Sequence, residues 1–175
     1  VTVAIEDARA TLTPSTGGLA TGLSGVHRES LGLWFGWPGD LSEATPDQRV
    51  EIEARLASER LIPVDLDRED LARYYHGLAN GVLWPLFHYL PAQLPLEIRS
   101  FGEYRRVNER FAEAVVEHYR DGDLIWIHDY QLMLVPELVR KRLPCARIGF
   151  FLHIPFPSSE LFRTLPERDA ILSGL

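Results

Sequence analysis

The 175-residue sequence contains a single cysteine, Cys145, and has no long apolar run. One cysteine excludes both an intrachain disulfide framework and a metal site built from several cysteines. No apolar run reaches the length of about 18 residues that a membrane span requires, and residues 1–9 lack the basic region and apolar stretch of a signal peptide. We therefore expect a cytoplasmic protein with no membrane partner.

Positive charge is also scarce. The sequence has 18 lysines and arginines against 25 acidic residues, which gives a formal net charge of −7. A nucleic-acid-binding domain needs surplus basic residues to neutralise phosphates, so we expect no nucleic-acid partner. The apolar share of 46% and the charged share of 25% are ordinary for a globular protein. We expect a single domain over residues 1–175.

Four common catalytic motifs are missing from the sequence. There is no G-x-x-x-x-G-K-[ST] of a P-loop, no G-x-G-x-x-G of a dinucleotide site, no G-x-S-x-G of a hydrolase and no H-E-x-x-H of a zinc protease. The six histidines are scattered along the chain. We therefore expect neither a metal nor a cofactor.

The last third of the sequence has the most regular pattern. Residues 123–127 and 147–152 form continuous apolar runs, and helical patterns follow them at 131–142 and from Glu160. Apolar strands that alternate with helices are typical of a parallel sheet covered on both faces. The sequence therefore predicts an α/β fold with a doubly wound, Rossmann-like sheet.

Helix and strand signals also precede this region. Thr45 and Gln48 form a capping box that opens a helix. The other expected elements are a weak strand and loop over 1–15, a helix from the glycine-rich passage to about Arg28, a buried strand at 31–37, a short strand at 60–66, a helix from Asp67 to about Asn80, a helix opened by a second capping box at Ser100 and Glu103, and a helix kink at Pro136.

A histidine follows each strand of the last third. His128 and Asp129 come after the first strand, and His153 comes after the second. Ligands of open parallel sheets bind beyond the carboxyl ends of the strands, so we expect these side chains to line a crevice. A lone histidine at such a place is as often structural as functional. Two in consecutive units, one beside a carboxylate, favour a binding site.

Tryptophans and a glycine pair give further signals. Trp34 and Trp126 fit the core of a strand, whereas Trp84, in an expected loop, favours stacking on a sugar ring, with core packing as the alternative. Gly17 and Gly18 precede a helix, where backbone N–H groups can approach an anion such as a pyrophosphate. The alternative for the glycine pair is a plain tight turn.

Seven blocks of the sequence match motifs of a known family. They are TGGLA at 16–20, GLWFGW at 32–37, YY at 74–75, NGVLWP at 80–85, YRRVN at 104–108, IWIHDY at 125–130 and RIGFFLHIPFP at 147–157. In this order and spacing the chain resembles the trehalose-6-phosphate synthase family, the retaining glycosyltransferases of family 20. The resemblance covers nearly the whole chain, with residues 38–66 the least distinctive.

The resemblance implies a two-domain GT-B fold and the transfer of glucose from UDP-glucose to glucose 6-phosphate, which gives trehalose 6-phosphate. The chain is similar to the N-terminal, acceptor-binding domain of that fold without its first strand. That strand and a Ser-Asn-Arg-Leu-Pro motif would precede Val1, and the nucleotide-binding domain would follow Leu175. Since the cationic side chains for the leaving diphosphate belong to that second domain, we expect residues 1–175 alone to be inactive.

The resemblance also implies roles for individual residues. Asp129 and His153 would be catalytic, with Asp129 orienting acceptor hydroxyls rather than acting as a nucleophile. In a front-face transfer the leaving phosphate would accept the proton, and the enzyme would contribute positioning and charge stabilisation. The implied binding residues are Tyr75, Trp84, Asp129 and Trp37 for the acceptor, Gly17, Gly18 and His153 for the donor, and Trp84 and Ile154 for anomer selectivity.

Two alternatives stay open at this point. One is a non-catalytic sugar-phosphate-binding or regulatory homologue, which would have no need of the donor-side His153, Gly17 and Gly18. The other is part of a bifunctional synthase and phosphatase, in which the deciding residues would follow Leu175. A homo-oligomer of the full-length protein is compatible with each of them.

Overall fold

A computed structural model of the protein describes residues 1–6, 9–13, 15 and 17–175. Thr16, the first residue of the TGGLA block, lies outside the described residues. The chain divides into two compact units, Val1–Asp67 and Arg68–Leu175. Throughout the described part of the chain, each helix is too short or too polar to cross a bilayer.

The first unit combines a hairpin with a strand–helix–strand unit. Its described elements are β1 (Thr2–Glu6), β2 (Arg9–Thr13), α1 (Gly18–Ser30), β3 (Trp34–Gly36), α2 (Pro46–Ser58) and β4 (Leu61–Pro63). Strands β1 and β2 pair antiparallel, whereas β3 and β4 pair parallel with α2 between them. The expected weak strand at the start is therefore a two-stranded hairpin.

Helix α2 begins with the capping box that the sequence predicts. The Gln48 backbone N–H donates to the Thr45 hydroxyl at 3.3 Å, and the Thr45 N–H donates to Gln48 Oε1 at 2.8 Å. These bonds satisfy donors that a helix start otherwise leaves free. Ile52 and Leu56 on the inner face of α2 are buried against Val3. The predicted capping box is confirmed.

The second unit contains one parallel strand pair and a set of helices. Its described elements are α3 (Arg68–Asp70), a π-helical segment (Leu71–Leu83), α4 (Trp84–Phe87), a 3-10 turn (Pro91–Gln93), α5 (Phe101–His118), β5 (Leu124–His128), a second 3-10 turn (Tyr130–Leu132), α6 (Val135–Arg142), β6 (Arg147–Phe151), α7 (Ser159–Phe162) and α8 (Arg168–Gly174). Helix α6 connects β5 to β6 and packs on α5 and α8. The predicted α/β class with parallel strands is confirmed.

Several side chains of the β5–β6 pair are more exposed than the sequence predicts. Each strand pairs only with the other among the described residues, so the pair is a two-stranded sheet. Trp126 is 49% exposed, and Leu124 and Phe151 are exposed as well. The assignment of Trp126 to a strand core is therefore wrong. Trp34 is only partly buried, as are the other two residues of β3.

Three local predictions also differ from the structure. Ser100 has a positive φ of 74° and its side chain makes no capping hydrogen bond, so the predicted second capping box is wrong. Pro136 lies in the first turn of α6 rather than at a kink. Proline is favoured in a first helical turn, since its missing N–H has no intrahelical partner there. Trp84 begins α4 and does not lie in a loop.

The helix that begins at Arg68 is π-helical over Leu71–Leu83. The Trp84 N–H donates to the Ala79 carbonyl, five residues earlier, as π-helical bonding requires. Gly81 lies within this segment, and a Cβ there would come 2.8 Å from the His76 carbonyl oxygen. The wider helix therefore needs a residue without a side chain at this position.

We predict that Gly81→Ala destabilises the protein by about 1–3 kcal/mol, because the new methyl group would press on backbone that cannot rotate away. Denaturant unfolding followed by circular dichroism measures the loss. Gly102→Ala is the matched control: a Cβ at Gly102 in α5 meets nothing within 4 Å, so this substitution should leave stability unchanged or raise it by up to about 1 kcal/mol. Equal effects of the two substitutions would contradict the prediction.

Candidate active site

The carboxyl ends of β5 and β6 lie side by side and are joined through Asp129. His128 and Phe151 lie opposite each other and are the last pair of residues in the register of the two strands. The Asp129 N–H then donates to the Phe151 carbonyl at 2.8 Å. Asp129 Oδ1 accepts hydrogen bonds from the Tyr130 N–H at 3.0 Å and the His153 N–H at 3.3 Å. Two of the predicted site residues, Asp129 and His153, are thus brought together.

Asp129 has an unusual backbone conformation, with φ 72° and ψ 169°. This region is populated almost entirely by glycine, and other residues there carry about 1–3 kcal/mol of strain. Such strain concentrates at functional sites because the surrounding structure has to maintain it. In this case the conformation turns the chain at the end of β5 while the carboxylate bridges to the segment after β6.

The two histidines of the strand ends form a pair. His128 Nδ1 lies 3.0 Å from His153 Nε2, a hydrogen bond in which one imidazole donates and the other accepts. Burial and the neighbouring His153 charge lower the pKa of His128, and the Asp129 carboxylate partly offsets this by raising it. A pair of imidazoles beside a carboxylate offers both donors and acceptors to a polyhydroxylated ligand.

Tyr130 connects this site to the π-helical segment. Its hydroxyl donates to Asn80 Oδ1 at 2.7 Å. Burial, followed by the charges of Asp129 and Tyr75, raises the pKa of Tyr130 to about 12. Tyr75 therefore lies close enough to Tyr130 to affect its pKa, and Tyr75 is 37% exposed. The structure thus places predicted residue Tyr75 near Tyr130.

Trp84 contacts a different neighbour. Its indole stacks on the His88 ring at a centroid distance of 4.1 Å, and His88 Nδ1 lies 2.8 Å from the Trp84 carbonyl oxygen. The Trp84 side chain is 38% exposed, which excludes the core alternative. Ile154, beside His153, is partly buried.

The remaining predicted residues belong to the first unit. Gly17 is the N-cap of α1 and Gly18 its first residue, and both are exposed. Trp37 is partly buried, and its indole Nε1 is buried without a hydrogen-bond partner. Trp37 also lines a cavity of about 130 Å³ within this unit. These residues are therefore described within the first unit, whereas Asp129 belongs to the second unit.

Sequence reasoning gave no role to Tyr104 and Asn108, two fully buried polar residues of α5. Both make hydrogen bonds to the backbone that follows Asp129. The signal that could have found them is a tyrosine and an asparagine, four residues apart, on the apolar face of an amphipathic helix. Among the described residues, no group of three histidines, cysteines or carboxylates could hold a metal ion.

A family model described as Glycosyltransferase family 20 matches residues 2–175. The chain belongs to this family. A curated relative, the alpha,alpha-trehalose-phosphate synthase (UDP-forming) of Emericella nidulans, is 43% identical over 175 residues, which is 97% of this chain and 34% of the relative. The family 20 chain thus spans about a third of the length of this relative.

Solved structures of family members have the same fold. A structure titled as trehalose-6-phosphate from E. coli bound with UDP-2-fluoro glucose matches with a TM-score of 0.75 and 36% identity, over 94% of this chain and 36% of that one. The N-terminal domain of a Candida albicans trehalose-6-phosphate phosphatase matches with a TM-score of 0.69 and 38% identity, over 80% and 30% of the two chains. The predicted fold class, α/β of the GT-B type, is confirmed.

We predict that the pKa of His128 lies below its ordinary value of 6.5, because burial and His153 disfavour the imidazolium. The unfolded chain then binds a proton at higher pH than the folded one, so the His128 contribution to stability is complete above about pH 6.5 and is lost on acidification. His153→Gln should raise this pKa, and Asp129→Asn should lower it further. Histidine ring NMR measures both shifts, and shifts of the same sign would contradict the assignment.

Proposed function

We propose that residues 1–175 are the N-terminal, acceptor-binding domain of a retaining glycosyltransferase that transfers glucose from UDP-glucose to glucose 6-phosphate in trehalose biosynthesis. The observation that carries this proposal is the Asp129 carboxylate bonded to the His153 backbone at the joined ends of β5 and β6, in a chain of family 20. A relative whose title names a UDP-glucose analogue supports the choice of donor.

The acceptor binds at the Asp129 carboxylate in this proposal. One of its oxygens accepts two backbone N–H bonds, and an ionised carboxylate keeps further lone pairs for sugar hydroxyls. Asp129 thus orients the attacking hydroxyl of glucose 6-phosphate and does not act as a nucleophile. The exposed rings of Tyr75 and Trp84 supply apolar surface for the sugar, and Trp37 is a further acceptor residue.

The transfer itself takes place on one face of the donor glucose. The bond from its anomeric carbon to the diphosphate oxygen breaks, a bond to the acceptor hydroxyl oxygen forms, and the departing diphosphate takes the hydroxyl proton. His153 donates to the transferred glucose, and the amides at Gly17 and Gly18 approach the diphosphate. Ile154 and Trp84 restrict which anomer fits.

The experiment that tests this function is UDP release by the full-length protein incubated with both substrates. UDP should appear only when UDP-glucose and glucose 6-phosphate are present together, and trehalose 6-phosphate should accumulate in equal amount. Release that does not depend on glucose 6-phosphate would contradict the proposed acceptor. The cytoplasmic location, the homo-oligomer and the inactivity of residues 1–175 alone stay predictions.

The similarity to a phosphatase N-terminal domain supports a second candidate function. In this alternative the chain is a non-catalytic sugar-phosphate-binding domain of a longer phosphatase. The full-length protein would then release phosphate from trehalose 6-phosphate and no UDP from the two synthase substrates. Measuring both products on one preparation separates the two candidates.

We predict that Asp129→Asn in the full-length protein lowers kcat/KM for glucose 6-phosphate about 100-fold, or about 2.7 kcal/mol, because the charged acceptor of the sugar hydroxyls is lost. Asp123→Asn is the matched control. It makes the same chemical change just before the opposite end of β5, where the carboxylate accepts only from the Arg120 N–H among the contacts described. An Asp129 variant within twofold of the parent would show that this residue is structural.

We also predict that glucose 6-phosphate perturbs the tryptophan fluorescence of the full-length protein through Trp84. A bound sugar would contact the part of the Trp84 indole that the His88 ring does not cover. Trp84→Phe should remove most of the change. An undiminished response in the Trp84 variant would place the acceptor elsewhere.

A further inference from the structure

Tyr104 and Asn108 are fully buried in α5, one turn apart. A hydroxyl or an amide that is buried without hydrogen bonds costs several kcal/mol, so an apolar pair would serve packing alone better. The residue between them on the same buried surface, Val107, is apolar and equally buried. The two polar groups therefore have a task that packing does not explain.

Four of their partners are backbone groups in the segment that follows Asp129, and the fifth is the Tyr104 carbonyl within α5, which accepts from Asn108 Nδ2 at 2.8 Å. The Tyr104 hydroxyl donates to the Tyr130 carbonyl at 2.7 Å and accepts from the Met133 N–H at 3.1 Å. The Asn108 side-chain amide also donates one hydrogen bond to this segment and accepts one from it, each with the residue that follows the corresponding partner of Tyr104. Its Nδ2 donates to the Gln131 carbonyl at 3.0 Å, and its Oδ1 accepts from the Leu134 N–H at 3.1 Å.

These bonds hold the chain on one side of Asp129, and β5 holds it on the other. Strained conformations such as that of Asp129 persist only where the surrounding structure over-determines them. The pairing of β5 with β6 fixes the residues before Asp129. The four bonds from α5 fix the residues after it, including Tyr130, whose N–H also donates to the Asp129 carboxylate.

We propose that Tyr104 and Asn108 are positioning residues that keep the Asp129 carboxylate in place for the acceptor. The inference rests on the proposed function, because it assigns the two side chains to the acceptor step of the same transfer. They do not touch the substrate. They act through the backbone of Tyr130 and the residues that follow it, and hence through Asp129.

The test uses Tyr104→Phe and Asn108→Leu in the full-length protein. Misplacement of a reacting group by a fraction of an ångström to one ångström lowers the rate by roughly 10- to 100-fold. We therefore expect kcat/KM for glucose 6-phosphate to fall by about that factor, with KM for UDP-glucose within about twofold of the parent value. Where Asn108→Leu fails to fold, Tyr104→Phe decides, since it removes one hydroxyl only.

Val107→Ala is the matched control, because it removes buried methyl groups from the same turn of α5 without touching the four bonds. Compared well below the melting temperature of each variant, it should leave kcat/KM unchanged. It should also leave amide exchange at Met133 and Leu134 slow, whereas Tyr104→Phe should accelerate exchange at Met133. An equal loss of activity in Val107→Ala would overturn the proposal.

A double-mutant cycle with Asp129→Asn adds a test that a purely structural role would not pass. If Tyr104 acts through Asp129, Tyr104→Phe should have little further effect on kcat/KM in the Asp129→Asn background. Full additivity would overturn the proposal.

An inactive parent protein would contradict the proposed function instead. The calorimetric affinity for glucose 6-phosphate then decides: Tyr104→Phe should weaken it and Val107→Ala should not, and equal affinities would overturn the positioning role.

Discussion

Asp129 turns the chain at φ 72° and ψ 169°, where side chains other than glycine are rarely found. The site of the second unit depends on this one conformation. It places the backbone N–H against the last carbonyl of β6 and the carboxylate against the N–H groups of Tyr130 and His153. The strain is tolerated because paired strands precede Asp129 and buried hydrogen bonds from α5 follow it.

The electrostatics of the site follow from the same arrangement. The histidine pair is adjacent to Asp129, and burial and His153 lower the pKa of His128 while Asp129 raises it. Burial, followed by the Asp129 charge, raises the pKa of Tyr130 to about 12, and its hydroxyl donates to Asn80 Oδ1. The ring nitrogens and the carboxylate together offer hydrogen-bond donors and acceptors to hydroxyl groups.

Residues far apart in the sequence meet in the second unit. The π-helical segment carries Tyr75 and Asn80 toward Tyr130, and the strand ends supply Asp129 and His153. The proposed donor residues Gly17 and Gly18 belong to the other compact unit of the chain. His153, the other proposed donor residue, belongs to the second unit together with Asp129.

Local patterns in the sequence determined the α/β class, the capping box at Thr45 and the position of Asp129 and His153 after their strands. Each depends on residues a few positions apart, so propensity and periodicity suffice to predict it. Tertiary structure alone decided that Trp126 is exposed, that Ser100 does not cap its helix and that Tyr104 and Asn108 hold the segment after Asp129. The contacts of Tyr104 and Asn108 join groups more than 20 residues apart in the chain, such as the Tyr104 hydroxyl and the Tyr130 carbonyl. No local pattern records such a pairing, because a buried hydroxyl finds its partner only when the helix and the strand ends pack together.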